Sequence, residues 1–322
     1  MSESRPSRVG QLLGPFIGLF VVSVLFAVLE PATFLSIYNF QTIAAQTVIV
    51  GLGAIGMTFV IVSAGIDLSV GSLIALTSVV TALALRHDYP PAFAALAGIA
   101  AGVVAGCVNG LLITSLRVVP FIVTLGTMGI ARGLSKYLAG EQKIDAPAGW
   151  LEDIMAKAPH PEWLLVAPGT WVMFLLAIVM AFVLRRTVFG VHTYAIGSNE
   201  ATARLCGIRV PRVKIAIYTL SGLFAGLAGV MQYARLTVGD PTTAVGKELD
   251  IIAAVVIGGS SLSGGTGGIS GSLVGAFLMS VLANGCTLTG VPNYVQEIVI
   301  GMIIIAAVAV DRWRQRPAKS DA

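Results

Sequence analysis

Residues capable of chemistry are sparse in this chain and gather in two places. The first is polar. Asn199 to Gly207 reads N-E-A-T-A-R-L-C-G, with Pro211 beyond it. Ser198 or Asn199 can cap a helix running through Glu200, Ala201, Thr202, Ala203, Arg204, Leu205 and Cys206. Gly207 can take the left-handed position that closes it, and Pro211 stops it from resuming. A short helix capped at both ends transmits force where a slack loop cannot. The second place is Asp67, a lone carboxylate with Ser69 beside it in apolar surroundings, and Asn109, Thr124, Thr127, Asn284 and Gln296 are further isolated polar groups in or beside apolar runs. Groups of this kind hydrogen-bond between helices or to a solute.

Other chemistries are poorly served. Gly51, Gly53 and Gly56 match G-x-G-x-x-G, but they lie inside an apolar run without strand, turn and helix around them. The chain has no G-x-x-x-x-G-K-[ST] run, so any ATP that drives it is bound by another chain. Cys107, Cys206 and Cys286 are scattered without metal-ligand spacing and read as small packing residues.

The elements that must position these groups are apolar. Of 322 residues, 56% are hydrophobic and 11% charged, with a mean hydropathy of +0.89, far outside soluble averages. Apolar stretches lie near 14–30, 44–63, 68–85, 93–114, 119–138, 168–184, 213–233, 250–261, 268–286 and 293–310. Most approach the roughly 20 residues that cross a ~30 Å hydrocarbon core. Continuous apolar runs exclude an outer-membrane barrel, whose strands alternate. The expected fold is all-α, a polytopic helical membrane protein of about ten membrane elements, in one domain spanning 1–322. The run 14–30 follows Arg5 and Arg8 like a signal peptide, but it lacks a small-x-small cleavage site and reads as a retained span.

Basic residues gather at the N-terminus, between Arg185 and Lys214, and in the tail from Arg312, so 1–13, 185–214 and 311–322 are expected to be cytoplasmic, both termini included. The acidic stretch 140–167 belongs outside. The short run 250–261 then needs to be a broken crossing completed by the irregular Ser260 to Gly268, tolerable at membrane depth only inside protein or along a wet cavity. Gly98, Gly102, Gly106 and Gly110 form a ladder, Gly267, Gly271 and Gly275 repeat it, and Gly222 pairs with Gly226. Such ladders let helices approach closely within one chain. Asn109-Gly110 before Val119-Pro120, and Asn284-Gly285 before Val291-Pro292, form a short echo of the kind an inverted repeat leaves.

Ser63 to Ser72 reads S-A-G-I-D-L-S-V-G-S, Pro120 to Met128 reads P-F-I-V-T-L-G-T-M, and Glu248 to Gly265 reads E-L-D-I-I-A-A-V-V-I-G-G-S-S-L-S-G-G. These runs resemble the ribose-type sugar permeases of bacterial ABC importers, a family that also includes branched-chain amino acid permeases. Agreement extends over nearly all the chain beyond residue 40.

The resemblance implies a non-enzymatic permease subunit in the bacterial inner membrane that forms the path for a monosaccharide, pentose or hexose. The expected partners are ATP-binding cassette subunits, a periplasmic substrate-binding protein and a second permease subunit, identical or paralogous. No cofactor belongs to this chain, since ATP and Mg are bound by the ATPase, and nucleic acid is not expected. Asn199 to Gly207 is similar to the family's coupling helix N-E-A-A-x-R-L-S-G, with Thr202 for alanine and Cys206 for serine. Asp67 is expected at a helix break, capping the next helix through its amides, and with Ser69, Asn109, Thr124, Thr127, Asn284 and Gln296 it is a candidate for the substrate path. Outside, Ala148 to Ala158 is expected as an amphipathic helix along the membrane surface, forming a landing surface for the binding protein with Arg235, Asp240, Lys247 and Glu248. An ion-coupled secondary transporter is the alternative from another class, although acidic residues in the spans are scarce.

Overall fold

Proline and serine set where the helices begin. Ser36 accepts the Asn39 amide at 3.2 Å to cap α3 (Ile37–Val62). Proline occupies the first turn of α5 (Pro91–Leu116), α6 (Pro120–Ala139), α8 (Pro168–Arg186) and α11 (Val210–Leu236), where its missing N–H is unneeded. The computed structural model describes residues 8–156 and 162–314; Arg5, Lys157, Ala158, Arg316 and Lys319 lie outside these. The remaining helices are α1 (Arg8–Leu29), α2 (Pro31–Phe34), α4 (Val70–Arg86), α7 (Leu151–Ile154), α9 (Val188–Ser198), α10 (Glu200–Leu205), α12 (Lys247–Ile257), α13 (Ile269–Leu288) and α14 (Asn293–Arg314).

Among the described residues, five helices, α3, α5, α8, α11 and α13, are long and apolar enough to cross a membrane. Shorter apolar helices occur at Gly14–Leu29, Val70–Arg86 and Asn293–Ala306. This is a helical membrane protein. The apolar window of α3 is 94% buried and that of α8 only 28%, so α3 is the central post and α8 lies at the rim.

The glycine ladder works within the chain. α5 and α11 pack along their length: a Cβ on Gly106 would lie 2.9 Å from Gly222 Cα, and one on Gly110 2.7 Å from Ile215 Cα. On the second ladder, a Cβ on Gly271 would strike the Gly258 carbonyl and one on Gly275 the Ala254 carbonyl, closing α13 onto α12. The nucleotide-like glycines prove to be packing positions on α3. Gly51 meets Met173, Gly53 meets Ile251 and Gly56 meets Ser221 and Phe224.

At one end of the bundle β1 (Ile144–Asp145) pairs antiparallel with β2 (Val238–Gly239), Ile144 opposite Gly239. The expected surface helix near 148–158 is corrected here. Only the single turn α7 forms within the described residues, and of the apolar side chains there Leu151 and Met155 are buried at 1% and 3% exposure, Ile154 is partly buried and Trp150 is half exposed. Two large apolar side chains had a protein pocket available, and burial there removes them from the surface.

Candidate functional site

Between the end of α3 and the start of α4, residues 63–69 form a non-helical strand of chain inside the bundle. Its first residue continues the α3 turn, with Ser63 N–H donating to the Phe59 and Val60 carbonyls. Asp67 and Ser69 are fully buried, at 0% exposure. Asp67 Oδ1 accepts the Ser69 amide at 2.9 Å and the Ser69 hydroxyl at 2.6 Å, and Oδ2 accepts the Ser221 hydroxyl from α11 at 2.9 Å. Asn109 Nδ2 on α5 donates to Ser69 Oγ at 3.0 Å, and Thr127 on α6 donates to Asn109 Oδ1 at 2.5 Å. Thr124 on α6 donates to the Ile66 carbonyl at 3.2 Å.

Five of the sequence candidates, Asp67, Ser69, Asn109, Thr124 and Thr127, therefore meet in one network that ties the 63–69 segment to three helices. It lies within the length of two helices long and apolar enough to cross a membrane, for Ser221 sits about 16 Å along α11 and Asn109 about 10 Å before the end of α5. A buried carboxylate is expensive unless hydrogen-bonded, and three donors meet that need. The expected helix cap is corrected in one respect. Asp67 accepts the amide of Ser69, which precedes α4, and no side chain caps the first turn of α4.

Asn284 and Gln296 do not join this network. Asn284 is buried on α13 with its Oδ1 unpaired among the described residues. Gln296 donates to the Val291 carbonyl at 3.2 Å, a local bond at the start of α14. Ser221 was missed in sequence because its neighbours Gly222 and Gly226 drew attention only to packing. Arg132 was missed too, although a cation in the middle of an apolar run was its signal. Its Nη1 donates at 2.8 Å to the carbonyls of both Pro241 and Thr243, pinning the non-helical chain before α12 to α6.

Of the proposed outer charges, Asp240 pairs with Lys143 at 3.4 Å and Lys247 with Asp250 at 2.6 Å. The Thr242 and Lys143 donors hold the Asp240 carboxyl below the usual range, against the opposing effect of its partial burial. Glu248 is placed apart from these: a Cβ on Gly71, in the first turn of α4, would collide with its Oε2.

The opposite end carries the polar motif. Asn199 Oδ1 accepts the Thr202 amide at 2.9 Å and caps α10, whereas Ser198 ends α9 instead. Sequence reading had no helix at α9; Thr187 starts it by accepting the Gly190 amide at 3.4 Å. Gly207 adopts φ 83°, and the Gly207 and Ile208 amides return to the Arg204 and Ala203 carbonyls, closing the helix as a left-handed glycine does. Ala203 is buried, while Ala201, Thr202, Arg204 and Leu205 face out, Leu205 at 89% exposure. Glu200 accepts Arg204 at 2.6 Å and Lys214 at 2.6 Å. Partial burial raises its carboxyl pKa, but these two cations outweigh that and hold it below the ordinary value.

The fold and site define a helical membrane protein with a buried polar network and a capped helix at one end, and its class comes from its relatives. Residues 39–308 match the family described as branched-chain amino acid transport system, permease component, and the chain belongs to that family. The ribose import permease of Bacillus subtilis (strain 168) is 42% identical over 306 residues, covering 94% of each chain. The fructose import permease of Rhizobium meliloti is 36% identical over 326 residues, 98% of this chain and 88% of its own. The L-arabinose ABC transporter permease of Azospirillum brasilense is 35% identical over 302 residues, 93% of this chain and 88% of its own. No solved structure matches the chain. It is an import permease subunit of ABC type, a transport component and not an enzyme.

Proposed function

We propose that this permease admits a monosaccharide delivered by a periplasmic binding protein and is driven by ATP hydrolysis in a partner docked on α10. The observation that carries the docking is α10 itself: a helix capped at both ends, tied to α11 through Glu200 and Lys214, and presenting Leu205 almost wholly to solvent. Apolar exposure of that degree on a rigid turn fits insertion into a groove. The sugar class follows from the ribose, fructose and arabinose permeases above, each similar along nearly its whole length.

In this reading the ten helices overlapping the apolar stretches are ten membrane elements, the short α12 completing its crossing through the non-helical chain before α13, with both termini and 185–214 cytoplasmic and 140–167 periplasmic, in the bacterial inner membrane. The β1–β2 pair and α10 at opposite ends support it. The path runs between this subunit and a second one. Asp67, Ser69, Asn109, Thr124 and Thr127 shape the helices beside that path, a role that the full burial of the first four and the bond of the half-buried Thr127 to Asn109 favour over direct contact with sugar. Asn284, whose oxygen is unpaired among the described residues, and Gln296 are the candidates left for solute contact.

The test is ATP hydrolysis and uptake by the permease reconstituted with its ATPase and binding protein, across ribose, fructose, arabinose and a branched-chain amino acid. Stimulation by one sugar, abolished by Gly207→Pro in an intact complex, is expected. Stimulation by leucine alone would move the chain to the amino acid branch. Uptake that follows an imposed ion gradient without any ATPase would overturn the reading.

A further inference from the structure

The 63–69 segment touches the coupling region at one end and the polar network at the other. Val62, where α3 stops, accepts the Gly265 amide at 2.9 Å, and a Cβ on Gly197, just before α10, would collide with the same Val62 carbonyl. A Cβ on Gly264 would lie 2.7 Å from both Ala64 Cβ and the Gly197 carbonyl oxygen, and one on Gly265 would lie 3.1 Å from Ser198 Cα. Tyr194 on α9 donates to the Gly267 carbonyl at 2.7 Å. The start of the segment is thus held between the α9–α10 junction and the glycine-rich 258–268 loop. Ala64 at φ 60° bends the chain sharply there. Five residues after Val62, Asp67 enters the network that binds α5 and α11, while Thr124 of α6 holds the Ile66 carbonyl.

Tyr218 lies beside this segment with an unused group. Its side chain is 1% exposed, its hydroxyl has no hydrogen-bond partner among the described residues, and a Cβ on Gly65 would lie 2.5 Å from that oxygen. Tyr218 and Ser221 are three residues apart on α11 and so share a face. Gly65 stands by the first and Asp67 by the second. Asp67 Oδ2 accepts one hydrogen bond, from Ser221, and keeps lone-pair capacity for another. A buried hydroxyl without a partner is unfavourable, and a displacement of the segment along α11 toward the α10 end by less than one helix turn supplies one.

We propose that residues 63–69 are a two-position strut that carries movement of the α10 region into α4, α5, α6 and α11, and that Tyr218 is the hydroxyl Asp67 takes up in the second position. The proposal rests on the reading of α10 as the ATPase docking helix. Ser221 holds the first position and Tyr218 the second, so both are positioning residues acting through Asp67. A bistable element biased from one end is what coupling between distant sites requires.

The experiment uses the complete complex in liposomes, with the binding protein loaded in turn with ribose, fructose and arabinose. Tyr218→Phe is expected to assemble with equal or greater thermal stability and unchanged basal hydrolysis, while stimulation by loaded binding protein falls about fivefold or more. Ser221→Ala should act oppositely at rest, raising basal hydrolysis while narrowing the stimulated-to-basal ratio. Wild-type stimulation in both variants overturns the strut. Marked destabilisation by Tyr218→Phe overturns it as well, because the hydroxyl would then be paired in the resting state. Leu205→Asp separates the two readings: its loss of ATPase binding supports docking at α10, whereas an ATPase that stays bound and stimulated removes the docking reading and the strut's input with it.

Discussion

Gly222 on α11 and Gly102 on α5 meet backbone to backbone, so that a Cβ on either would enter the other's carbonyl oxygen. In a membrane, where helices gain little from hydrophobic exclusion, such closeness is itself the stabilising contact.

Gly222→Val should therefore force α5 and α11 apart and cost about 1–3 kcal/mol or more. Thermal denaturation in detergent measures this. Gly133→Ala on α6 is the control, since among the described residues nothing would meet a Cβ there within 4 Å, and it should leave the melting temperature unchanged or slightly raised. Equal losses at both positions would contradict the packing role.

Asp67→Ala should be more damaging than Asn109→Ala. Removing the carboxylate strands the Ser69 amide and the Ser69 and Ser221 hydroxyls, each left-over buried donor costing about 1–3 kcal/mol. Asn109→Ala breaks the bonds to Ser69 and Thr127 but leaves Asp67 served. Yield of monodisperse protein, followed by size-exclusion chromatography, orders the two. An Asp67→Ala protein as stable as wild type would show that the network carries no fold.

The Glu200–Lys214 pair should make the seating of α10 depend on acid. The carboxyl pKa of Glu200 is lowered in the folded protein from its ordinary 4.5. Its contribution is therefore fully present above that ordinary value and is lost as pH falls through the lower folded one. The pair is partly exposed, so the effect is small and weakens with salt. Hydrogen exchange of residues 198–209, taken relative to the unstructured-chain rate at each pH, should rise below pH 4.5 in wild type. In Lys214→Met it should be faster already at neutral pH and lose much of that acid dependence. A wild-type profile flat through this range would refute the linkage.

Arg132→Met should loosen the chain ahead of α12. The guanidinium bonds to Pro241 and Thr243 are charge-assisted and worth about 1.5–3 kcal/mol. Maleimide labelling of a cysteine at Thr242, in a background whose own cysteines are replaced, should accelerate in the variant. Arg132→Lys should restore protection in part, because an ammonium donates to carbonyls but lacks the fixed fork. Unchanged labelling in Arg132→Met would mean that the Gln232 bond to Thr243 suffices to hold the segment.

Periodicity and composition made most of the helices legible, since every apolar stretch contains one. The α10 caps were legible because capping is local: Asn199 and Gly207 act on amides and carbonyls a few residues away. Helix α9 was not, because its eleven residues are too few to span a membrane and follow directly on the basic end of α8. The fate of Leu151 and Met155 also escaped sequence reading, for an amphipathic turn is the same whether its apolar face meets lipid or protein.

By itself the sequence determined the membrane class, the capped helix and the isolated polar residues, all properties of the chain within a few turns of itself. Only the tertiary structure decided which of those residues meet. Asp67 and Ser221 are 154 positions apart, and nothing local to either selects the other. The choice follows from the glycine contacts that set α11 against α3 and α5, and from the need of a buried carboxylate for whichever donors that packing brings within reach.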